Sequence, residues 1–279
     1  MNRVPAPAKI NLALVVGPRM EDGLHEVATV LQRIDLCDSV TLEPASTLLV
    51  EGYRRDTLVR SALGKLAAAA GDGVGWRVRL DKRIPLAAGL GGGSSDAGAA
   101  LALANRTLLH PLPGEELASL AAQVGADVPF FLTPGPKLAE GAGERLRPLE
   151  LPQDFWVVIA LPRFARKSST ADVYGRFDAL GLGAGFDERR AALLDSLAAV
   201  RRPRDFAGLP PNDLAAAAGR PRIVDELLEQ GAFRADVSGA GPAVYGLFHH
   251  RPEAERAARR LRARARVWRV APVWYRRRR

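Results

Sequence analysis

Between residues 85 and 96 the chain reads PLAAGLGGGSSD, and four glycines (Gly89, Gly91, Gly92 and Gly93) fall in five positions. Glycine alone takes positive φ at no steric cost and lets another group approach the backbone closely. The alternating WRVRL at 76–80 reads as a strand leading into this segment. A run of Ala and Leu over 95–109 follows and reads as a helix, which Pro111 and Pro113 end. A strand, a glycine turn and a helix start present free N–H groups at the positive end of a helix dipole, a site suited to a di- or triphosphate. Ser94 or Ser95 is expected to cap the helix, and the other hydroxyl is then free to face phosphate or a bound Mg²⁺. The candidate nucleotide contacts are Pro85, Leu86, Ala87, Ala88, Gly89, Leu90, Gly91, Gly92, Gly93, Ser94 and Ser95. No Gly-Lys-[Ser/Thr] follows, the third glycine of a dinucleotide fingerprint is missing, and no His-Arg-Asp loop occurs. The plainer alternative is a turn before a well-capped helix.

The remaining composition excludes more than it selects. No apolar run approaches the roughly 18–20 residues of a membrane span, and the start, MNRVPAPAKINLALVV, reads as a short basic end feeding a strand rather than a signal peptide. One cysteine, Cys37, forbids an internal disulfide and fits a cytoplasmic location. With four scattered His it gives no zinc spacing, so no protein metal site is expected. The net charge of +9 is concentrated late: twelve of the 40 Lys and Arg lie in 251–279, ending in four arginines. That reads as a solvated helix face and tail, or as a polyanion-binding end; no obligate nucleic acid is expected, and no membrane partner.

Along the chain, strands are expected over 4–16, 26–35 and 38–51, the last two separated by Cys37-Asp38-Ser39. Helices are expected over 56–70 and 115–124. The Gly- and Pro-rich 135–152 shows little periodicity and places a domain boundary near its end. Beyond it come strands at 155–161, 234–238, 243–249 and 267–275, and helices at 170–179, 188–200, 221–230 and 253–266. This is an α+β pattern in two halves, 1–152 and 153–279, without internal repeats.

Two charged residues stand in apolar surroundings. Lys9 lies in the first strand and must either find a partner or lead its charge to a strand edge. Asn11 shares its face. Asp127, after Gly125, is either a helix-capping group or an acid/base.

The chain resembles the GHMP-type kinases over nearly its whole length. The resemblance rests on seven segments in order: PAKINL at 7–12, DGLHE at 22–26, KRIP at 82–85 running into the glycine segment, GADVPFF at 125–131, STADVY at 169–174, NDL at 212–214 and SGAGP at 238–242. It implies a two-domain fold, with a left-handed βαβ N-terminal ATP-binding domain, a ferredoxin-like C-terminal domain and an active site in the cleft. It implies an ATP-dependent small-molecule kinase, cytoplasmic, using Mg²⁺, as a monomer or homodimer. Lys9 and Asp127 would be the catalytic pair. Asn11, Leu24, His25, Thr170, Tyr174 and Gly239 would contact a substrate bearing a cytidyl group. Tyr174 reads equally as helix core. Leu24 departs from the pattern, which has an aromatic there, and the lost stacking face is worth about 1–3 kcal/mol per base. Ala240 stands for a common serine and Ala215 for a glutamate, so 212–214 carries little weight. Another alcohol acceptor (homoserine, mevalonate or a sugar-like alcohol) and a non-catalytic nucleotide binder are the competing readings.

Overall fold

The computed structural model describes residues 2–71, 73–163 and 169–273. They form two compact units, neither of them one stretch of chain. The first comprises residues up to Ala8, Leu36–Leu86 and Gly91–Pro134, and the second Lys9–Asp35, Ala87–Leu90 and residues from Gly135 onward. A cut at one point such as 152 is a different kind of division. The arginines at 276–279 and the end of the strand expected over 267–275 lie outside the described residues.

Two long strands, β1 (Asn2–Arg19) and β2 (His25–Ala45), contribute residues to both units. In the first unit, β3 (Leu49–Glu51), α1 (Leu58–Ala70), β4 (Gly75–Asp81), α2 (Gly92–Asn105) and α3 (Gly114–Ala122) follow. β4 pairs antiparallel with the later part of β2 and parallel with β3. Its alternation holds: Trp76, Val78 and Leu80 are buried and the residues between them are exposed. They join Leu63 and Leu66 of α1 and Leu101 and Ala104 of α2 in one core. Small residues let α2 sit close, since a β-carbon at Gly98 would lie 2.8 Å from Phe131 Cβ. Trp76 Nε1 donates to Thr107 Oγ1 at 2.8 Å, so the indole is buried without losing its hydrogen bond.

The break expected at Cys37-Asp38-Ser39 is absent, and β2 runs straight through it. Asp38 points inward, only 1% exposed, and accepts from the backbone N–H groups of Arg83 and Ile84. The polar trio is therefore an anchor for the exit of β4, not a turn.

In the second unit the stretch 135–152 is also more regular than its composition indicates. It holds a hairpin, β5 (Lys137–Gly141) and β6 (Arg145–Pro148), with β5 paired to the early part of β2. Gly141 and Gly143, at φ +72° and +112°, make the turn. Strands this short give too little alternation to be read. Next come β7 (Trp156–Pro162), α4 (Thr170–Ala179), α5 (Phe186–Ala198), α6 (Leu214–Ala218), α7 (Ile223–Glu229), β8 (Arg234–Val237), β9 (Val244–Phe248), α8 (Arg251–Leu261) and β10 (Ala265–Val270). The antiparallel sheet has the order β10-β7-β9-β8. With helices between β7 and β8 and between β9 and β10, that is the ferredoxin-like arrangement. Val224 and Leu227 of α7 and Ala254, Ala257 and Leu261 of α8 share a core with Val158, Val244 and Phe248.

Arg234 shows how this unit tolerates a buried cation. Its guanidinium donates to the carbonyls of Phe206 (2.9 Å), Leu209 (2.7 Å) and Pro210 (2.7 Å), and lies 3.7 Å from Asp236. Arg234→Met would orphan three carbonyls and leave the buried Asp236 carboxylate with only its backbone donors, Asn212 N and Val237 N, close by. Denaturant unfolding should show a loss of about 3–5 kcal/mol; a loss below about 1 kcal/mol would sink this assignment.

Candidate active site

The glycine segment leaves β4 and turns into α2 through three left-handed residues at alternate positions: Ala87 at φ +51°, Gly89 at +81° and Gly91 at +68°. Ala87 is the one non-glycine with positive φ among the described residues. Strain of this kind persists only where the surroundings enforce it, and it clusters at ligand sites. α2 begins at Gly92 with Gly91 as its N-cap and no capping side chain. The expected cap by Ser94 or Ser95 is therefore corrected: left-handed glycine does that work, and both serines lie in the first turn. Ser95 N donates to Gly91 O at 2.8 Å, which leaves the N–H groups of Gly92, Gly93 and Ser94 as the free donors of a helix start. Ser95 is buried, and its hydroxyl has no hydrogen-bond partner among the described residues. Ser94 is half-buried, so it is the serine with an accessible hydroxyl. Pro85 is half-buried, Leu86 and Ala87 are exposed, and Ala88 and Leu90 are buried.

Within the second unit a backing turn holds Ala87–Leu90. Ala243 N donates to Ala88 O (3.1 Å), Ser238 Oγ to Gly89 O (3.0 Å) and Lys9 N to Leu90 O (2.9 Å). A β-carbon at Gly89 would lie 2.1 Å from Ser238 O, and one at Gly241 2.2 Å from Ala88 C. Gly241 is thus glycine because protein backbone presses on it. Gly239, at φ +57°, faces Asn11 and Lys9: a β-carbon there would stand 3.4 Å from Asn11 Oδ1 and 3.6 Å from Lys9 Nζ. Asn212, given little weight from sequence, is buried and fixes this turn by donating to Val237 O (3.0 Å) and Gly239 O (2.7 Å).

Lys9 is 5% exposed, and its ammonium donates to Asn11 Oδ1 at 2.9 Å. Asn11 Nδ2 donates to Thr29 Oγ1 (2.8 Å), which donates to Ala13 O (2.7 Å). This relay fixes the amide of Asn11 with its oxygen toward Lys9. Thr29 was not singled out from sequence; it occupies a buried position of β2 and only the fold reveals its partner. Asp127 belongs to the first unit, half-buried in the turn between α3 and the 3₁₀ turn Pro129–Phe131. α3 ends on Gln123, and the 3₁₀ turn starts on Val128 without a side-chain cap.

The structure also brings His25 and Tyr174 together, with ring centroids 4.7 Å apart and a tilt of 32°. His25 Nε2 lies 2.7 Å from Asp178 Oδ1, and a carboxylate acceptor places a proton on that nitrogen. Tyr174 and Asp178 are one turn apart on α4. Thr170, exposed, is the first residue of that helix, one turn before Tyr174; Ser169 and Asp172 form a capping box around it. Leu24 is 52% exposed.

Three residues missed from sequence support the start of α2. Lys82 Nζ contacts Asp38 Oδ2, and Asp96 Oδ2 at 2.5 Å. Burial pulls the Lys82 ammonium down, but Asp96 and Asp38 outweigh it and leave its pKa raised. Burial pushes the Asp96 carboxyl up to about 7, against the opposing pull of Lys82. The signal was phase: Lys82 continues the buried positions 76, 78 and 80, and Asp38 the buried positions 36, 40 and 42. No group of three or more His, Cys, Asp or Glu that could hold a metal ion occurs among the described residues.

Family models describing the GHMP kinases N terminal domain and the GHMP kinases C terminal match residues 57–135 and 221–267. A 4-diphosphocytidyl-2-C-methyl-D-erythritol kinase of Anaeromyxobacter sp. (strain Fw109-5) is 37% identical over 268 residues, covering 92% of this chain and 85% of its own. One of Symbiobacterium thermophilum (strain DSM 24528 / JCM 14929 / IAM 14863 / T) is 37% identical over 270 residues, covering 91% and 93%. A crystal structure of 4-(cytidine 5'-diphospho)-2C-methyl-D-erythritol kinase matches with a TM-score of 0.79 at 34% identity, over 98% of this chain and 100% of that one. With that similarity spanning both sheets and the glycine segment, the chain belongs to the GHMP kinase family.

Proposed function

We propose that this kinase transfers the γ-phosphoryl group of ATP to the 2-hydroxyl of 4-diphosphocytidyl-2-C-methyl-D-erythritol, a cytoplasmic step of non-mevalonate isoprenoid precursor synthesis. The observation that carries the phosphoryl chemistry is the start of α2, where three N–H donors and a helix dipole stand behind an enforced glycine turn. Relatives named for that substrate, at 37% identity over most of the chain, support the choice of acceptor. Residues 1–152 and 153–279 would be the ATP-binding and C-terminal domains, consistent with family matches on either side of 152.

In this reading Asp127 takes the proton of the acceptor hydroxyl as its oxygen bonds to the γ-phosphorus. The bond from that phosphorus to the bridging oxygen breaks, and ADP leaves. Lys9 counters the charge on the transferred group, with Asn11 fixing its ammonium. Ser94, with its accessible hydroxyl in the first turn of α2, would be the residue to hold a Mg²⁺ bound with the nucleotide, which would supply charge neutralisation on the phosphates. Tyr174, His25 and Thr170 would face the cytidyl group, and Gly239 the sugar alcohol beside Lys9 and Asn11. The exposed Leu24 favours a second reading, a different alcohol acceptor, because it offers no ring to a base.

Purified protein with Mg-ATP should release ADP on the cytidyl substrate and not on mevalonate or homoserine. Turnover on none of them would end the kinase reading, and turnover on a non-cytidyl alcohol alone would select the second. Asp127→Asn should lower kcat by about 10²–10⁴-fold with ATP affinity nearly unchanged; unimpaired turnover would remove the base assignment. Gly241→Ala forces Ala88 and Gly89 to move. That should cost roughly 10²-fold in kcat/KM for ATP, and a wild-type value would show that the backing turn does not set the glycine segment.

A further inference from the structure

The chain leaves β4 at Asp81 and enters α2 at Gly92, and everything between must hold one shape if its N–H groups are to meet a polyphosphate. Lys82 is the first residue past the strand and Asp96 the fifth of the helix, so their contact closes the segment at its base. Asp38 joins from β2: one carboxylate oxygen takes the Lys82 ammonium while the other accepts from Arg83 N and Ile84 N. The first turn of α2 rests on this assembly, since a β-carbon at Gly92 would stand 3.0 Å from Ile84 Cγ2 and 3.5 Å from Asp38 Oδ2. All these groups belong to the first unit.

Such a cluster is a poor source of stability, because taking an ammonium and two carboxylates out of water offsets much of their attraction. It does two things that an apolar replacement cannot. It fixes the direction in which the chain leaves β4 relative to the axis of α2, and it places a cation between two carboxylates behind a helix start that awaits an anion. Without that cation, Asp38 and Asp96 would oppose the phosphates that the helix dipole attracts.

We propose that Lys82 is a positioning residue for nucleotide binding, an electrostatic staple that holds the glycine segment in its phosphate-binding shape. The inference rests on the reading that this segment holds ATP. An ordered loop pays its conformational cost in folding, whereas an unstapled one pays on binding, so the effect belongs in ATP affinity rather than in the chemical step.

Lys82→Met alone leaves two buried carboxylates uncompensated and is expected to unfold readily. The informative protein is therefore Lys82→Met with Asp96→Asn, in which Asp38 keeps its two backbone donors. It should fold with a Tm close to wild type, raise KM for ATP about tenfold or more with kcat within about threefold, and exchange the amides of 85–95 faster. Lys82→Arg, which keeps the charge and the reach, should restore most of the ATP affinity. A folded double variant with wild-type KM for ATP and wild-type exchange over 85–95 would overturn the proposal. If wild-type protein binds no ATP by calorimetry, the nucleotide reading has failed. The exchange rates over 85–95 then still decide the staple: faster exchange in the double variant supports it and unchanged exchange refutes it.

Discussion

In the second unit, Gly89 and Gly241 face each other across a gap that no β-carbon fits, with Ala88 and Ser238 supplying the opposing backbone atoms. Backbone pressed on backbone has few ways to relax, because interiors are close-packed and a shift of either turn must be passed to its neighbours. The left-handed conformation of Ala87, which costs a residue with a β-carbon about 1–2 kcal/mol, survives because the hydrogen bonds to Ala88 O and Gly89 O hold the turn around it. Asn212 then ties Gly239 to the end of β8, so the position of the turn beside Lys9 and Asn11 follows from the sheet. In the first unit the start of α2 is set by a different force, the charges of Lys82, Asp38 and Asp96. The second unit thus draws on steric exclusion and the first on buried electrostatics, and neither force can stand in for the other.

Much of this was legible before any coordinates. Periodicity gave β4 and, apart from the short α6, the helices to within about five residues at either end, because Trp76, Val78 and Leu80 alternate cleanly and most helical runs are long. The glycine turn leading into a helix start was legible too. The failures have physical causes. Composition made 135–152 look irregular, although Gly141 and Gly143 serve a hairpin turn there. Cys37-Asp38-Ser39 looked like punctuation because polar residues usually are; Asp38 is instead a buried acceptor whose partners lie more than forty residues away in sequence. A cap was assigned to a serine because serine is the common choice, and left-handed Gly91 took it instead. Local rules identify which residues can satisfy a backbone group, while the tertiary fold decides which one does. Two compact units built from interleaved stretches are beyond any reading that moves along the chain in order.

The residues around His25 show what the departure at position 24 means chemically. His25 is nearly buried, fixed by Asp178 at one ring nitrogen and covered by Tyr174 on one face. The contact with the Asp178 carboxylate fixes the orientation of the ring and occupies Nε2, which leaves Nδ1 for another partner. Leu24 contributes surface but no π-face, so recognition of a base would fall on Tyr174 and on hydrogen bonds rather than on a ring at each side. Stacking is tolerant of which base is bound, whereas hydrogen bonds to fixed groups are not. In the proposed reading, leucine at position 24 would weaken grip more than discrimination. A site of this kind would be expected to hold the same nucleotide less tightly, and the fixed imidazole, not the missing ring, would carry its selectivity.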